Sequence, residues 1–300
     1  MMSSSSAGIA LCEPTQLYNI LTQCTKNPAV LSQTYLTLFD ARDVADYNEA
    51  HVVISKASKR DTKGHYRVPV GVHLPSCLNC IVYDSNTVSV VEDTPAVHLA
   101  NVLACSGSKY TVMILKGGYE RFSAEYPFLR TQKIMYTDIE LLSLPRYPSE
   151  ILPLFLYLGD RHHAYNASLN YDLKIHVHLS LGSKLYPAFP EGVTELHLDV
   201  DDQPDQDLLS KFEEIYEFLE TQRKKSDRVL VFSELGISRG ATVIIAYLMK
   251  RQKWSLKEAF CHVQKCRHHI RPLTCFLEQL SQWETQVLGE LITDIHKLYS

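Results

Sequence analysis

The sequence predicts an α/β protein of two domains, each with a central sheet flanked by helices. In both halves of the chain, short apolar runs rich in β-branched residues, typical of buried strands, are followed by runs with helical spacing. The 300 residues suffice for two domains of ordinary size. A proline-containing segment at 143–148 interrupts both patterns. We therefore expect domains at 10–130 and 149–289, a linker at 131–148 and a tail at 290–300.

The first half begins with a helix. It is expected after Pro14, because Leu17, Ile20, Leu21 and Cys24 share one face at helical spacing. Three strand-type runs follow, and a Gly-Gly turn after the third leads into another helix. These runs lie at 36–39, 80–83 and 112–115.

In the second half, we expect strands at 173–179 and 228–232 and an apolar helix at 241–249. A longer helix is expected before the second of these strands, because it carries an apolar stripe. The stripe consists of Leu208, Phe212, Ile215, Phe218 and Leu219.

The most informative segment is the turn between strand 228–232 and helix 241–249. It reads Phe232-Ser233-Glu234-Leu235-Gly236-Ile237-Ser238-Arg239. A strand, a tight turn and a helix N-terminus form a nest, a concave turn whose backbone N–H groups converge on an anion. Gly236 permits the turn, and the guanidinium of Arg239 adds a planar, two-pronged donor for phosphate oxygens. The sequence therefore predicts that residues 233–239, here called the phosphate loop, bind phosphate.

This segment resembles the His-Cys-x-x-Gly-x-x-Arg loop of the protein tyrosine and dual-specificity phosphatases. Phe232 and Ser233 stand where that family has the histidine and the nucleophilic cysteine, and Gly240 stands where it usually has Ser or Thr. The family's thiolate has a pKa lowered by the helix N-terminus and nearby cations. A serine hydroxyl is too weak an acid to ionise there without a base, and Phe232 supplies none. We therefore expect a chain that is not an enzyme.

The resemblance continues through the second half. Residues 150–159 resemble the opening of dual-specificity phosphatase domains, and residues 271–284 resemble their closing helix, without the usual Pro-Asn. The resemblance implies a general acid at Asp202, ten residues before Phe212, that would protonate the leaving oxygen. The alternative interpretation, favoured for a loop without a nucleophile, is that Asp202 belongs to a solvated acidic stretch at the start of a helix.

The first half resembles a rhodanese domain. Residues 36–52 resemble its first strand and the segment that follows, and residues 112–122 resemble a strand, Gly-Gly turn and helix of the rhodanese-like domain in MAP kinase phosphatases. A sulfurtransferase would carry a cysteine in the loop after strand 80–83, where this chain has Asp84-Ser85-Asn86. The resemblance therefore implies a rhodanese-like domain that does not transfer sulfur.

A rhodanese-like domain followed by a phosphatase-like domain resembles the pseudophosphatases related to MAP kinase phosphatases. This resemblance implies a regulatory binding protein or scaffold in phosphorylation-dependent signalling, with phosphoproteins, active phosphatases or kinases as partners. Two alternatives stay open. The first is weak residual phosphatase activity through Ser233 or a neighbouring thiol. The second is a scaffold whose loop binds nothing.

A basic cluster adds one more hypothesis about partners. Lys56, Lys59, Arg60 and Lys63 fall where the rhodanese-like domain of MAP kinase phosphatases carries a docking segment for the kinase. Their charges are scattered and diluted by Asp61, so a solvated loop is the favoured interpretation. MAP kinase docking is kept as the alternative.

Composition excludes several classes of function. A net charge of −4 and a pI near 6.3 argue against direct binding of nucleic acid. No apolar run approaches the ~20 residues of a membrane span. Eight cysteines without a secretory N-terminus predict reduced thiols and a cytoplasmic location, with mitochondrial association through a partner left open. Cys77 and Cys80 form a lone Cys-x-x-Cys, and only His73 and Cys105 are nearby candidates for further ligands. We therefore expect neither a metal nor a cofactor.

Overall fold

The computed structural model describes residues 8–23, 34–68, 72–183, 189 and 192–299. The chain divides into two compact units, one up to Pro145 and one from Arg146. Each unit contains a central sheet flanked by helices, so the predicted fold class is confirmed. The predicted domain limits stay a prediction. Cys24, expected on the first helix, lies outside the described residues.

The strands of the first unit are β1 Ile9–Cys12, β2 Leu36–Asp40, β3 His51–Val52, β4 Lys56–Ala57, β5 Lys59–Arg60, β6 Tyr66–Arg67, β7 Asn79–Tyr83, β8 Val112–Leu115 and β9 Arg130–Thr131. Five of them form a fully parallel sheet in the order β1-β8-β7-β2-β4. The others form two short antiparallel pairs, β3 with β9 and β5 with β6. The helices of this unit are α1 Pro14–Thr22, α2 Val44–Glu49, α3 Pro95–Cys105, α4 Gly118–Glu125 and α5 Asp138–Leu142.

The second unit has a five-stranded sheet in the order β10-β11-β14-β12-β13, in which only the β10–β11 pair is antiparallel. The strands are β10 Ser149–Leu152, β11 Leu156–Asp160, β12 Ile175–Leu181, β13 Thr194–Leu198 and β14 Arg228–Ser233. The helices are α6 Arg161–Tyr165, α7 Ala167–Leu173, α8 Phe212–Lys224, α9 Arg239–Gln252, α10 Leu256–Cys266 and α11 Thr274–Leu288.

The centre of the second unit is the β14–α9 pair. Residues 229–232 of β14 are fully buried between β11 and β12, and helix α9 is buried from Arg239 to Met249. A parallel strand with both faces covered reads as a continuous apolar run, which is why this pair was visible in the sequence. Because strand and helix are both buried on every side, the turn between them is held from two directions.

One expectation about the second unit is corrected. The strand expected at 173–179 begins only at Ile175, because helix α7 ends at Leu173 and Lys174 adopts a left-handed conformation with φ of 54°. Residues of the segment 290–300, whose limits as a tail stay a prediction, contact the second unit. Glu284 accepts hydrogen bonds from the N–H groups of Ile292 and Thr293, and Leu298 is 8% exposed.

No helix among the described residues combines the length and the apolar character that crossing a membrane requires.

Candidate functional site

The phosphate loop has the predicted strand–turn–helix setting. Strand β14 ends at Ser233, and helix α9 begins at Arg239. Gly236 has a φ of 62°, and a Cβ there would lie 2.1 Å from the carbonyl oxygen of Gly159 on strand β11. The turn therefore requires glycine for its backbone conformation and for its close approach to β11.

Three successive carbonyl oxygens of the loop, those of residues 235–237, accept hydrogen bonds from the segment that follows helix α10. The buried guanidinium of Arg267 donates from Nε to the oxygen of Gly236 (2.9 Å) and from Nη2 to that of Leu235 (3.2 Å). The oxygen of Ile237 accepts the N–H of Arg271 at 2.9 Å. These bonds fix which side of the turn carries oxygen atoms.

Most of the loop N–H groups, those of residues 235–239, point away from these contacts. Within the described part of the chain, they donate no hydrogen bond. The first N–H groups of a helix have no partner within it, so a run of unpaired donors leading into α9 is the arrangement expected of an anion site. The predicted nest is present in geometry, and its binding of phosphate stays a prediction.

Arg239 supplies a second set of donors. Its residue is 9% exposed, and its Nη1 donates to the oxygen of Val200 at 2.9 Å, which fixes the guanidinium at the loop. Its buried Nε makes no hydrogen bond with any described residue. Nε lies 3.9 Å from a carboxylate oxygen of Asp202. The guanidinium is therefore held in place with donor capacity left over for an oxyanion.

Asp202 lies at the loop, as the resemblance implied. Its carboxylate accepts a hydrogen bond of 2.7 Å from the hydroxyl of Ser238, and that hydroxyl also accepts the N–H of Leu273 at 3.3 Å. The carboxylate is 40% exposed, so it can exchange protons with solvent. Its position suits proton transfer to a leaving oxygen, and that role stays a prediction. The neighbouring carboxylates Asp201 and Asp205 are exposed, in line with the alternative of a solvated stretch.

Ser233 and Gly240 are adjacent in space. Ser233 is 3% exposed, and a Cβ on Gly240 would lie 3.6 Å from its Oγ. The same Cβ would lie 3.0 Å from Cδ1 of Leu158, closer than most such contacts. A hydroxyl at position 240 would therefore reach Ser233, but only if Leu158 shifts by a few tenths of an ångström.

Phe232 belongs to an aromatic cluster on the other side of β14. Its fully buried ring makes edge contacts with Tyr165, His178 and Phe189, at centroid distances of 6.4, 5.9 and 6.1 Å. His178 is also buried, and neither ring nitrogen has a partner among the described residues. Burial, helped by the charge of His176, lowers the pKa of His178 to about 4. The imidazole of His178 is therefore uncharged at neutral pH and only weakly basic.

A cleft of about 720 Å³ opens beside the loop. Its walls come from helix α6, the residue after it, the start of α7 and the second loop residue; they are Arg161, His162, Tyr165, Asn166, Ala167 and Glu234. The carboxylate of Glu234 lies 3.9 Å from the guanidinium of Arg161, and both side chains are about half exposed. Glu234 places negative charge at the rim of the site, which opposes the binding of an anion.

Arg267 was not found from the sequence. It follows helix α10 and reaches a loop 31 residues earlier in the chain. The only local signal was a cation directly after the apolar face of an amphipathic helix, a pattern that more often marks an exposed C-terminus.

In the first unit, the loop after the central strand is arranged differently. Asp84 follows β7 and is 4% exposed. Its carboxylate accepts the N–H groups of Asn86 (3.2 Å), Thr87 (3.0 Å) and Ala96 (3.0 Å), and the hydroxyl of Thr87 at 2.6 Å. Ala96 is in the first turn of α3. The donors of this loop and of this helix N-terminus are therefore occupied by a side chain of the protein.

The basic cluster lies on the surface of the first unit. Lys59 and Arg60 form strand β5 of a two-stranded hairpin, and Lys63 is in its turn. All three side chains are exposed, as is that of Lys56 on β4. Asp61 accepts the N–H of Lys63 at 2.9 Å and thus shapes the turn. The structure places the four cations within one short surface segment.

Metal ligands are not assembled in the described part of the chain: it contains no group of three or more His, Cys, Asp or Glu side chains that could hold an ion. Cys77 and Cys80 are both buried, and burial raises the pKa of the Cys80 thiol to about 12. A protonated thiol is a poor metal ligand.

Comparison with known proteins identifies the second unit. Residues 156–286 match the family described as dual specificity phosphatase, catalytic domain. Human dual specificity protein phosphatase 5 is 36% identical over 218 residues, which cover 66% of this chain and 56% of that protein. Human dual specificity protein phosphatase 4 is 35% identical over 232 residues, covering 70% and 59%. A probable rhodanese domain-containing dual specificity protein phosphatase of Dictyostelium discoideum is 30% identical over 184 residues, covering 61% and 39%.

Residues 156–286 of the second unit are therefore similar to the catalytic domain of the dual-specificity phosphatases. The chain spans 39% to 59% of the lengths of these three relatives.

The expectation that the chain is not an enzyme is contradicted by these comparisons. The relatives are named as dual specificity protein phosphatases, which points to a phosphatase. The expectation gave most weight to Phe232 and Ser233. It gave too little to what the site retains: a hydroxyl at Ser233, the guanidinium of Arg239 and the carboxyl group of Asp202 around one set of unpaired amides.

Proposed function

We propose that the second unit recognises phosphorylated protein side chains at the phosphate loop and thereby acts as a regulatory binding domain in phosphorylation-dependent signalling. The observation that carries the proposal is the run of unpaired N–H groups at residues 235–239 next to the buried, unpaired Nε of Arg239. A buried donor without a hydrogen bond, such as Nε of Arg239, is costly, and an oxyanion satisfies it together with the loop N–H groups. A phosphate group suits the planar guanidinium and the helix N-terminus together.

The strength of binding follows from these groups. A hydrogen bond from a charged donor contributes about 1.5 to 3 kcal/mol and the helix N-terminus up to about 2 kcal/mol, so the loop alone gives an affinity near millimolar. Glu234 lowers this figure. Tighter binding of a phosphoprotein must draw on contacts outside the loop, and the cleft beside Glu234 is the nearest surface that could provide them.

Titration of the purified chain with inorganic phosphate and with a phosphopeptide, followed by calorimetry, tests the proposal. Arg239→Ala should weaken phosphate binding about 10- to 150-fold. Arg271→Ala is the matched control, because this exposed side chain carries the same charge while its N–H, which holds Ile237, is unchanged. Equal binding by wild type and Arg239→Ala would show that the loop recognises nothing and would favour a scaffold.

A second candidate function is slow phosphatase activity through Ser233, favoured by the names of the relatives and by the position of Asp202 at the loop. The Ser233 oxygen would bond to phosphorus as the ester P–O bond breaks, the hydroxyl proton would pass to water, and Asp202 would give its proton to the leaving oxygen. Water would then hydrolyse the phosphoserine, which releases phosphate and restores the serine hydroxyl. Hydrolysis of an aryl phosphate that disappears in Ser233→Ala would support this candidate. Hydrolysis that is equal in both proteins would point to a contaminating enzyme.

For partners, we propose phosphoproteins, phosphatases or kinases of such signalling, with the four cations of the basic cluster as an alternative docking segment for a MAP kinase. The feature that favours docking is their shared exposure on and beside one hairpin. Reversing Lys59 and Lys63 to Glu should weaken capture of such a kinase without changing phosphate binding. Unchanged capture would return the hairpin to the interpretation of a solvated loop.

A further inference from the structure

We propose that Arg267 is the positioning residue of the phosphate loop, and that it holds the peptide groups of residues 235–237 so that their N–H groups face the anion. The inference rests on the proposed function, because it concerns the same loop. It adds a residue outside the loop that decides whether the loop is competent to bind.

The geometry of the peptide bond carries the argument. In a trans peptide group the C=O and the N–H point to opposite sides of one plane. Arg267 holds the oxygens of Leu235 and Gly236, at 3.2 and 2.9 Å, and so directs the N–H groups of Gly236 and Ile237 to the opposite side. Those are two of the unpaired donors of the nest. The hydrogen bonds from Arg267 to the two carbonyl oxygens therefore also determine the direction of the two N–H groups.

The turn needs the hydrogen bonds from Arg267, because glycine at position 236 has only a weak preference for one backbone conformation. Gly236 adopts a φ of 62°, and glycine populates positive and negative φ about equally. A flip of either adjacent peptide group would place an oxygen where the nest now presents an N–H, and would repel an anion. Arg267 opposes the flip with two charge-assisted hydrogen bonds from one planar group.

Asp160 compensates the buried charge of Arg267. Arg267 is 6% exposed, and burying a guanidinium is costly unless it is bonded and faces an opposite charge. Asp160 ends β11, caps helix α6 by accepting the N–H of His163, and lies 2.7 Å from the ring of His163. Burial tends to raise the pKa of Asp160, but the hydrogen bond from His163 and the charges of His163 and Arg267 lower it to about 2. The carboxylate is therefore charged at neutral pH.

Amide NMR of the full chain during titration with inorganic phosphate tests the inference. In wild type, the Gly236 and Ile237 amides should shift on addition of phosphate. Arg267→Met should weaken phosphate binding about tenfold or more and remove those two shifts. Arg271→Met removes the same charge from an exposed side chain of the same region and leaves the loop carbonyls bonded. It should change the affinity less than threefold. Arg267→Lys, which keeps the charge but has no planar fork, should fall between.

The outcomes separate this inference from the proposed function. Equal phosphate affinity of Arg267→Met and Arg271→Met would overturn the role of Arg267 while leaving phosphate binding intact. Absence of binding in wild type would overturn the proposed function. The unliganded spectra would then decide, since Gly236 and Ile237 amides displaced in Arg267→Met but not in Arg271→Met support the positioning role, and unchanged amides refute it. If Arg267→Met does not fold, wild-type affinity in Arg267→Lys refutes the role.

Discussion

The two units use the same strand–loop–helix arrangement and fill it in opposite ways. In the first unit, the loop after β7 and the N-terminus of α3 give their N–H groups to Asp84, a carboxylate from the chain itself. In the second, the N–H groups of residues 235–239, between β14 and α9, have no partner in the described part of the chain and lie next to the guanidinium of Arg239. The difference shows that one side chain can decide whether this backbone arrangement binds its own carboxylate or is free to bind an anion. We call residues 84–96 the closed loop and residues 233–239 the open loop.

The largest effect should come from restoring a thiol to the open loop. Phe232→His with Ser233→Cys places a thiol beside unpaired amides and Arg239, where its pKa falls and a thiolate forms. Hydrolysis of an aryl phosphate should rise on the order of 10³- to 10⁶-fold over wild type, as measured by steady-state kinetics.

Asp202→Ala in that double variant should lower the rate about 10²-fold or more, because the leaving oxygen loses its acid. Adding Gly240→Ser should raise the rate only if Leu158 yields to the new side chain. A folded double variant that binds phosphate and gains no activity would show that the open loop differs from a phosphatase site in more than its nucleophile.

In the closed loop, substitution of Asp84 should lower the stability of the first unit. Asp84→Ala leaves three N–H groups without their acceptor, while the hydroxyl of Thr87 keeps its bond to Thr94 (2.7 Å). We expect a loss of about 3 to 5 kcal/mol in the free energy of unfolding of the first unit. Ser233→Ala in the open loop should cost less than about 1 kcal/mol. Urea denaturation followed by amide exchange in β7 and β14 reports each unit. Equal losses of unfolding free energy in Asp84→Ala and Ser233→Ala would show that the two loops do not differ in their dependence on these side chains.

A smaller effect should appear at low pH in the second unit. Asp160 has a folded pKa of about 2, against 3.8 when unperturbed, so its contribution of about 2 kcal/mol is complete above pH 4 and is lost as the pH falls toward 2. Asp160→Asn should remove this part of the pH dependence. The check is the free energy of unfolding of both proteins at pH 5 and pH 2.5. Parallel curves would mean that the carboxylate of Asp160 is not stabilised by His163 and Arg267 in the folded unit.

The smallest effect should come from Glu234, at the rim of the open loop, and should appear in phosphate affinity. Glu234→Gln removes a half-exposed negative charge beside the anion site and should raise phosphate affinity about two- to fivefold at low salt. The gain should shrink in 0.5 M salt, because exposed charges are screened. An affinity that falls in Glu234→Gln would indicate that Glu234 holds Arg161 in a position that the ligand needs.

Prediction from the sequence succeeded where the signal was local. The apolar run before Ser233 and the helix after Gly240 were visible because strand and helix are both buried on all sides. Gly236 and Arg239 could be assigned because a nest needs a residue with positive φ and a cation at fixed spacing. The closing of the first-unit loop was foreseen only as the absence of a cysteine. That Asp84 takes up the amides depends on the conformation of residues 84–96, which no pattern in the sequence specifies.

What escaped prediction depends on contacts between distant segments. Arg267 reaches back 31 residues to the loop carbonyls, and Asp202 reaches forward 36 residues to Ser238. The family resemblance supplied the second contact but not the first. The strand start at Ile175 was missed because an apolar leucine, Leu173, ends a helix and the turn after it uses a left-handed lysine. Such a turn has a weak signature when the residue is not glycine.

The serine at the end of β14 also determines how the loop responds to oxidants. A low-pKa thiolate in a phosphate site is the kind of group that peroxide converts to sulfenic acid or disulfide. Ser233 has no sulfur to oxidise, and burial raises the pKa of Cys266, at the end of helix α10, to about 12. The arrangement of amides and guanidinium around Ser233 is therefore the same in a reducing and in a peroxide-rich environment, whereas a thiolate at that position would make the loop redox-sensitive.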